Sequence, residues 1–250
     1  MALITMEYAS KQLKMDTLLT IITPHSARME GIPLSKRKVL WLLHGLSGDA
    51  NSWPRYSRIE EYARDKDLVV IMPSGGRSMY CDGVLGQNYF SYIADELPEY
   101  LSLVFNLSRK KEDNFIAGLS MGGLGAMKIA LTYPERFSAV GSFSGLLDFE
   151  PMLANIDETV ENEFPFLLAA KDDIRNSPLN PPALLDARKD KDIKIYVACG
   201  LQDDLLYTNQ TFKARADELG IDIKFVLEDG THVWEFWDRH VKLFIDYILG

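Results

Sequence analysis

Residues 114–131 read NFIAGLSMGGLGAMKIAL. Asn114–Ala117 is a short β-type run, and Gly118-Leu119-Ser120-Met121-Gly122 follows it. Beyond that, Ala126, Ile129, Ala130 and Tyr133 fall at the i, i+3, i+4, i+7 spacing of a helix, and Pro134 stops it. The stretch is therefore a strand, a tight turn with a serine at its tip, and a helix. Such a turn brings the two backbones close together, so the positions around it must be small; Gly118, Gly122, Gly123, Gly125 and Ala126 meet that need.

Working outward, the same alternation recurs. Val39–Leu43, Leu68–Met72, Ser138–Phe143, Ile193–Cys199 and Asp222–Leu227 are β-type runs with a glycine close behind each. Continuous apolar runs such as VLWLL and LVVIM mark strands buried on both faces, as in a parallel sheet. Thr17–Thr23 is another strand, after an earlier one around Tyr8–Leu13; no helix fits between them, so this edge is antiparallel. Phe212, Ala216 and Leu219 form a helical stripe closed by Gly220, and Trp237, Val241, Phe244, Ile245 and Ile248 form the last one. Ile93, Leu97, Leu101 and Val104 make a further stripe, with Pro98 inside it predicting a break or kink. The pattern predicts an α/β fold over residues 1–250 as one domain: a mostly parallel central sheet, helices on both faces and an antiparallel N-terminal edge. Residues 146–192 carry five prolines and little β character, and read as an irregular, cap-like insertion over the mouth of the site. A homo-oligomer using that insertion is an open expectation.

The chain has 250 residues, with 47% hydrophobic and 25% charged, an ordinary globular composition. Its 36 acidic against 27 basic residues give a net charge of −9, which opposes binding to nucleic acid or anionic membranes. The basic triplets Lys36-Arg37-Lys38 and Arg109-Lys110-Lys111 read as solvated flanks. Two cysteines without CxxC spacing exclude a disulfide framework and a zinc ribbon, and the four histidines show no metal-binding spacing. No apolar stretch reaches the roughly 18 residues of a membrane helix, and MALITMEYASKQLKMD lacks the pattern of a leader. A reducing, cytoplasmic setting without metal or cofactor is the expectation.

A serine hydroxyl becomes a useful nucleophile only when a base takes its proton. Of His25, His44, His232 and His240, His232 follows the last strand in GTHVW, where the base is expected; His240 falls inside the final helical stripe. The acid that fixes the imidazole comes between serine and histidine in chain order, so Asp203 is favoured, with Asp204 open; Asp229 reads as a turn former. An oxyanion hole needs two amides. Met121, after the serine, supplies one, and Leu46 in His44-Gly45-Leu46-Ser47-Gly48 supplies the other, leaving His44 a positional role. Ser144, in SFSG, has no helix behind it and reads as structural. Gly45, Trp53 and Trp234 are the candidates for the substrate pocket; Tyr80, Phe90, Phe149 and Trp237 also flank the motif loops but read more readily as packing.

VLWLLHGLSGDANSW, VVIMPSGGRSMY, FIAGLSMGGLGAMKIAL, YVACGLQDDLL and GTHVWEFWDRHV, in this order, resemble the esterase D branch of the α/β-hydrolases, and most closely its small bacterial tributyrin-type esterases. The resemblance covers nearly the whole chain. It implies a cofactor-free serine carboxylesterase acting on short-chain acyl esters. By motif position it carries the nucleophile onto Ser120, the acid onto Asp203, the base onto His232 and the oxyanion donors onto Leu46 and Met121. S-formylglutathione hydrolases belong to the same branch, so a thioesterase is the alternative, although those members usually lack this His-Gly start of the oxyanion loop. A catalytically silent fold used for binding is the alternative from another class.

Overall fold

The fold follows from where the apolar runs can be buried. In a computed structural model describing residues 1–24, 31–83, 87–150, 164, 171–187 and 192–250, they assemble into one eight-stranded sheet. The strands are β1 (Ala2–Ser10), β2 (Met15–Thr23), β3 (Val39–Leu43), β4 (Val69–Pro73), β5 (Asn114–Leu119), β6 (Ala139–Phe143), β7 (Lys194–Gly200) and β8 (Lys224–Glu228). Their order across the sheet is β1-β2-β4-β3-β5-β6-β7-β8. From β4 to β8 neighbours run parallel, whereas β1 against β2 and β2 against β4 are antiparallel.

The continuous apolar runs are the central strands: every residue of β3, β4, β5 and β6 is buried. Period-two geometry divides each between two cores. Val39, Trp41 and Leu43 face one, and Leu40 and Leu42 the other. The first core lies under α3 (Leu97–Phe105), α4 (Met121–Thr132) and α6 (Leu206–Glu218). The second lies under α1 (Ser52–Tyr56), α2 (Ile59–Asp65) and α7 (Trp234–Leu249).

Several local readings are corrected. The first strand spans Ala2–Ser10, and Leu13 belongs to the turn that follows; half-exposed alternation on an edge strand gives a weak apolar signal. At Pro98 the helix is irregular rather than broken. The proline sits in the first turn of α3, directly after a π-helical segment, Tyr92–Glu96. Lacking an N–H, Pro98 leaves the Ala94 carbonyl free, and the Arg136 guanidinium donates to it at 2.9 Å. Arg37 is not a solvated flank: it is buried, and its guanidinium donates to the carbonyls of Pro24 and Ile32. Much of the proposed insertion, 151–163, 165–170 and 188–191, lies outside the described residues. Its described part includes a helix, α5 (Pro181–Ala187), packed on α4 and α6, where the sequence suggested irregular chain.

The fold requires contact without side chains where α4 leaves β5. A Cβ on Gly122 would overlap the carbonyls of Leu43 and His44, and one on Gly118 would overlap Gly122 itself. Replacing Gly122 with alanine is expected to cost about 1–3 kcal/mol, read as a lower denaturant midpoint at unchanged m-value.

Candidate active site

Parallel pairing puts the carboxyl ends of β3 to β8 along one rim of the sheet. The chain runs from β3 outward to β4 and then returns to β5 on the other side, so the strand order reverses between β3 and β5. Such a reversal opens a crevice beyond the strand ends. Leu43 pairs with Gly118 in the ladder, which sets the 44–48 loop directly beside Ser120. A Cβ on Gly45 would meet Leu119 Cδ1 at 2.6 Å and Ser120 Cβ at 3.5 Å, so a larger residue here would make the Leu119 side chain give way.

Ser120 adopts φ 53°, ψ −120°, a conformation disfavoured for a side chain. Its N–H donates to Phe143 O at 2.9 Å, and its carbonyl accepts from Gly123 and Leu124 at 3.0 and 3.2 Å. These bonds hold the strain and aim the hydroxyl off the rim.

The other groups arrive from strands further along the same rim. Asp203 lies beyond β7 and His232 beyond β8. The two loops are tied together: Leu201 N–H donates to Glu228 O at 2.9 Å, Gln202 N–H to Gly230 O at 3.0 Å, and Gly230 N–H to Gln202 Oε1 at 2.9 Å. Ser120 Oγ lies 3.0 Å from His232 Nε2, and His232 Nδ1 lies 3.0 and 3.1 Å from the two Asp203 carboxylate oxygens. The Asp203 side chain is fully buried, that of His232 is about one-third exposed, and Asp204 faces solvent. Burial pushes the Asp203 carboxyl upward, but His232, the Leu205 amide and the Ser144 hydroxyl outweigh it and hold the carboxyl below its ordinary range. Leu205 N–H donates to Asp203 Oδ1 at 2.9 Å. Ser144 makes no well-formed side-chain hydrogen bond, but it is buried near Asp203 at the end of β6, with φ 50°.

Among the described residues, neither Leu46 N–H nor Met121 N–H donates to a protein acceptor. Both belong to the segments that flank Ser120. His44 explains how the first segment is held. Gly75 N–H donates to His44 Nε2 at 2.7 Å, so the ring proton is on Nδ1 and donates to Gly45 O at 2.6 Å. Tyr80 Oη donates to His44 O at 3.0 Å. With both nitrogens engaged and the ring buried, His44 is a brace. Gly75 and Tyr80 lie 31 and 36 residues along the chain, where no local pattern marks them as its partners.

The aromatic candidates separate. Trp53 is 1% exposed, and its Nε1–H donates to Leu43 O at 3.0 Å. It supports the loop from beneath, which corrects its placement in the pocket wall. Tyr80 and Phe149 are also core. Trp234 is part-exposed and tilted against Tyr56, and with His232, Ser47 and Arg55 it lines an open cavity of about 890 Å³. Trp237 is core by burial, yet its ring meets that of His232 edge-on at 4.9 Å. Its place in the final apolar stripe carries no signal of that contact with the imidazole. His240 is buried between Tyr196 Oη and Glu228, and His25 lies outside the described residues.

With this geometry in view, likeness to known proteins is informative. The family model Esterase, described as "Putative esterase", matches residues 10–242. The chain belongs to this esterase family. It is an α/β-hydrolase and a carboxylic ester hydrolase. An acetyl esterase of Caldicellulosiruptor saccharolyticus is 30% identical over 258 residues, covering 96% of each chain. An S-formylglutathione hydrolase of Staphylococcus aureus superposes with TM-score 0.88 at 30% identity, covering 100% of this chain and 99% of that one. A fluorophosphonate-binding serine hydrolase of the same organism gives TM-score 0.89 at 31% identity, covering 100% and 98%. No helix among the described residues is long and apolar enough to cross a membrane.

The neutral, buried state of His44 has a consequence in solution. Burial lowers its proton affinity below the ordinary value of 6.5, against a smaller opposing pull from Gly45 and Asp49. Acid therefore protonates the unfolded chain first, and stability falls as pH drops through and below that value. Denaturant midpoints measured from about pH 7.5 to 5.5 should decline. His44→Gln should be less stable at neutral pH and decline less steeply; buried His240, shifted the same way by burial, keeps part of the slope.

Proposed function

We propose that the protein is a serine carboxylesterase that hydrolyses short-chain acyl esters through Ser120, His232 and Asp203. The observation that carries this reading is the continuous hydrogen-bonded chain from Ser120 Oγ through His232 to a buried carboxylate. Ser120 attacks the ester carbonyl as His232 Nε2 takes its proton. Asp203, held ionised, keeps the Nδ1–H tautomer in place and stabilises the imidazolium. The amides of Leu46 and Met121 receive the oxyanion, a contribution worth about 10²–10³ in rate per donor. His232 then protonates the leaving alcohol, and in the second step it activates the water that releases the acid from Ser120.

The short-chain preference rests on the acetyl esterase relative and on the resemblance to tributyrin-type esterases. Two free, buried cysteines suit a reducing, cytoplasmic setting. Thioester hydrolysis by the same groups is the second reading. The S-formylglutathione hydrolase neighbour favours it, since that likeness spans the whole chain despite the His-Gly start of the loop. A silent fold is disfavoured by the intact hydrogen-bonded chain.

Initial rates on p-nitrophenyl esters from acetate to decanoate test the proposal. Activity should be highest for the shortest acyl groups. Ser120→Ala should lower kcat by about 10⁶, and Asp203→Asn by about 10⁴ with the fold intact. A Ser120→Ala variant retaining a tenth of the wild-type rate would overturn the assignment. An oxygen ester and a thioester of the same acyl group, compared by kcat/KM, separate the two readings.

A further inference from the structure

Lys128 lies in the interior of α4 and is 2% exposed. A buried ammonium ordinarily needs a carboxylate, because a lone desolvated charge is costly. Among the described residues no carboxylate pairs with it. Its Nζ lies 3.2 Å from Tyr80 O and 2.7 Å from Cys81 Sγ, with the Phe90 ring centroid at 5.8 Å. Cys81 is itself 2% exposed and free. Sulfur is larger than oxygen and a weak hydrogen-bonding partner, yet this separation matches the short end of the N–H···O range, about 2.7 Å. Burial raises the Cys81 thiol and keeps it protonated. Two nucleophilic atoms that the esterase chemistry does not use are thus held together, out of water, at a separation that a single bridging atom can span.

We propose that Cys81 and Lys128 form a redox-controlled covalent crosslink in which one oxygen atom bridges Sγ and Nζ. The oxidant is dioxygen. The Sγ–H bond and one Nζ–H bond break, while S–O and O–N bonds form. The second oxygen atom leaves as water with the two released hydrogens. Sulfur and nitrogen each give up two electrons, and dioxygen accepts all four. A dithiol, two molecules oxidised per bridge, restores thiol and amine and releases the bridging oxygen as water.

The position gives the bridge a mechanical meaning. Cys81 follows Met79 and Tyr80, whose φ values of 51° and 49° mark a strained turn. Tyr80 braces His44 through its hydroxyl and packs its ring on Gly125 of α4. Crosslinking pins this turn to the helix that begins after Ser120. It also closes a covalent loop across a sequence separation of 47, which restricts the unfolded chain.

Intact-mass analysis and peptide mapping of the full chain test this, comparing protein held under dithiol with protein equilibrated in air-saturated buffer. The oxidised sample should be one oxygen heavier and two hydrogens lighter, with one linked peptide containing Cys81 and Lys128. Its melting temperature should be higher, and dithiol should reverse both changes. Cys81→Ser and Lys128→Met should each abolish the linked peptide. An unchanged mass, a loss of two hydrogens alone, or whole oxygens gained on Cys81 with Lys128 unlinked would each overturn the proposal. If a variant fails to fold, the wild-type peptide map decides alone. None of these readouts depends on ester hydrolysis, so they stand or fall apart from the proposed reaction.

Discussion

The backbone of Ser120 is the constraint to which the surrounding structure answers. A non-glycine residue at φ 53° costs on the order of 1–3 kcal/mol and persists only where its neighbours leave no alternative. Here β6 supplies an acceptor for its N–H, the first turn of α4 supplies donors for its carbonyl, and glycines at 118 and 122 let strand and helix touch. Relaxing the turn would pull α4 from the sheet, and α4 is buried along nearly its whole length. The strain is therefore secured by a large part of the first core.

Electrostatics complete what the backbone begins. A buried carboxylate is unfavourable unless its oxygens are satisfied. Asp203 has His232 and the Leu205 amide, and the balance favours the charged form. His44, also buried, resolves the same difficulty in the opposite way, by remaining neutral with one nitrogen donating and the other accepting. Two histidines on one rim thus have different tasks because their surroundings differ. One has a carboxylate and an open side, and the other has only backbone and no exposure.

Much of this was legible in the sequence, for identifiable reasons. VLWLL and LVVIM could be read as central strands because burial on both faces demands unbroken apolar runs. Ser120, Asp203 and His232 could be paired because parallel strands deliver their following loops to one rim. What is not legible depends on tertiary partners. Pro98 looked like a helix breaker because nothing local shows that Arg136 would take up the freed Ala94 carbonyl. Trp53 looked like a pocket wall because its distance along the chain from the serine loop carries no burial information. Arg37 looked solvated because its acceptors, Pro24 and Ile32, are backbone carbonyls rather than acidic side chains. The Cys81–Lys128 contact joins residues 47 apart in sequence, and no spacing rule would connect them.

The one-sided rim also bears on how such a molecule can change over time. Ser120, the 44–48 loop, Asp203 and His232 all hang from strand ends, while the ladder beneath them is buried and fixed in register. Drift in the rim loops can reshape what is recognised without disturbing the scaffold, and drift at the opposite end can adjust robustness without touching recognition. Selection can act on the two ends almost independently. A sheet built this way is a frame on which new specificities can be tried at little risk to folding.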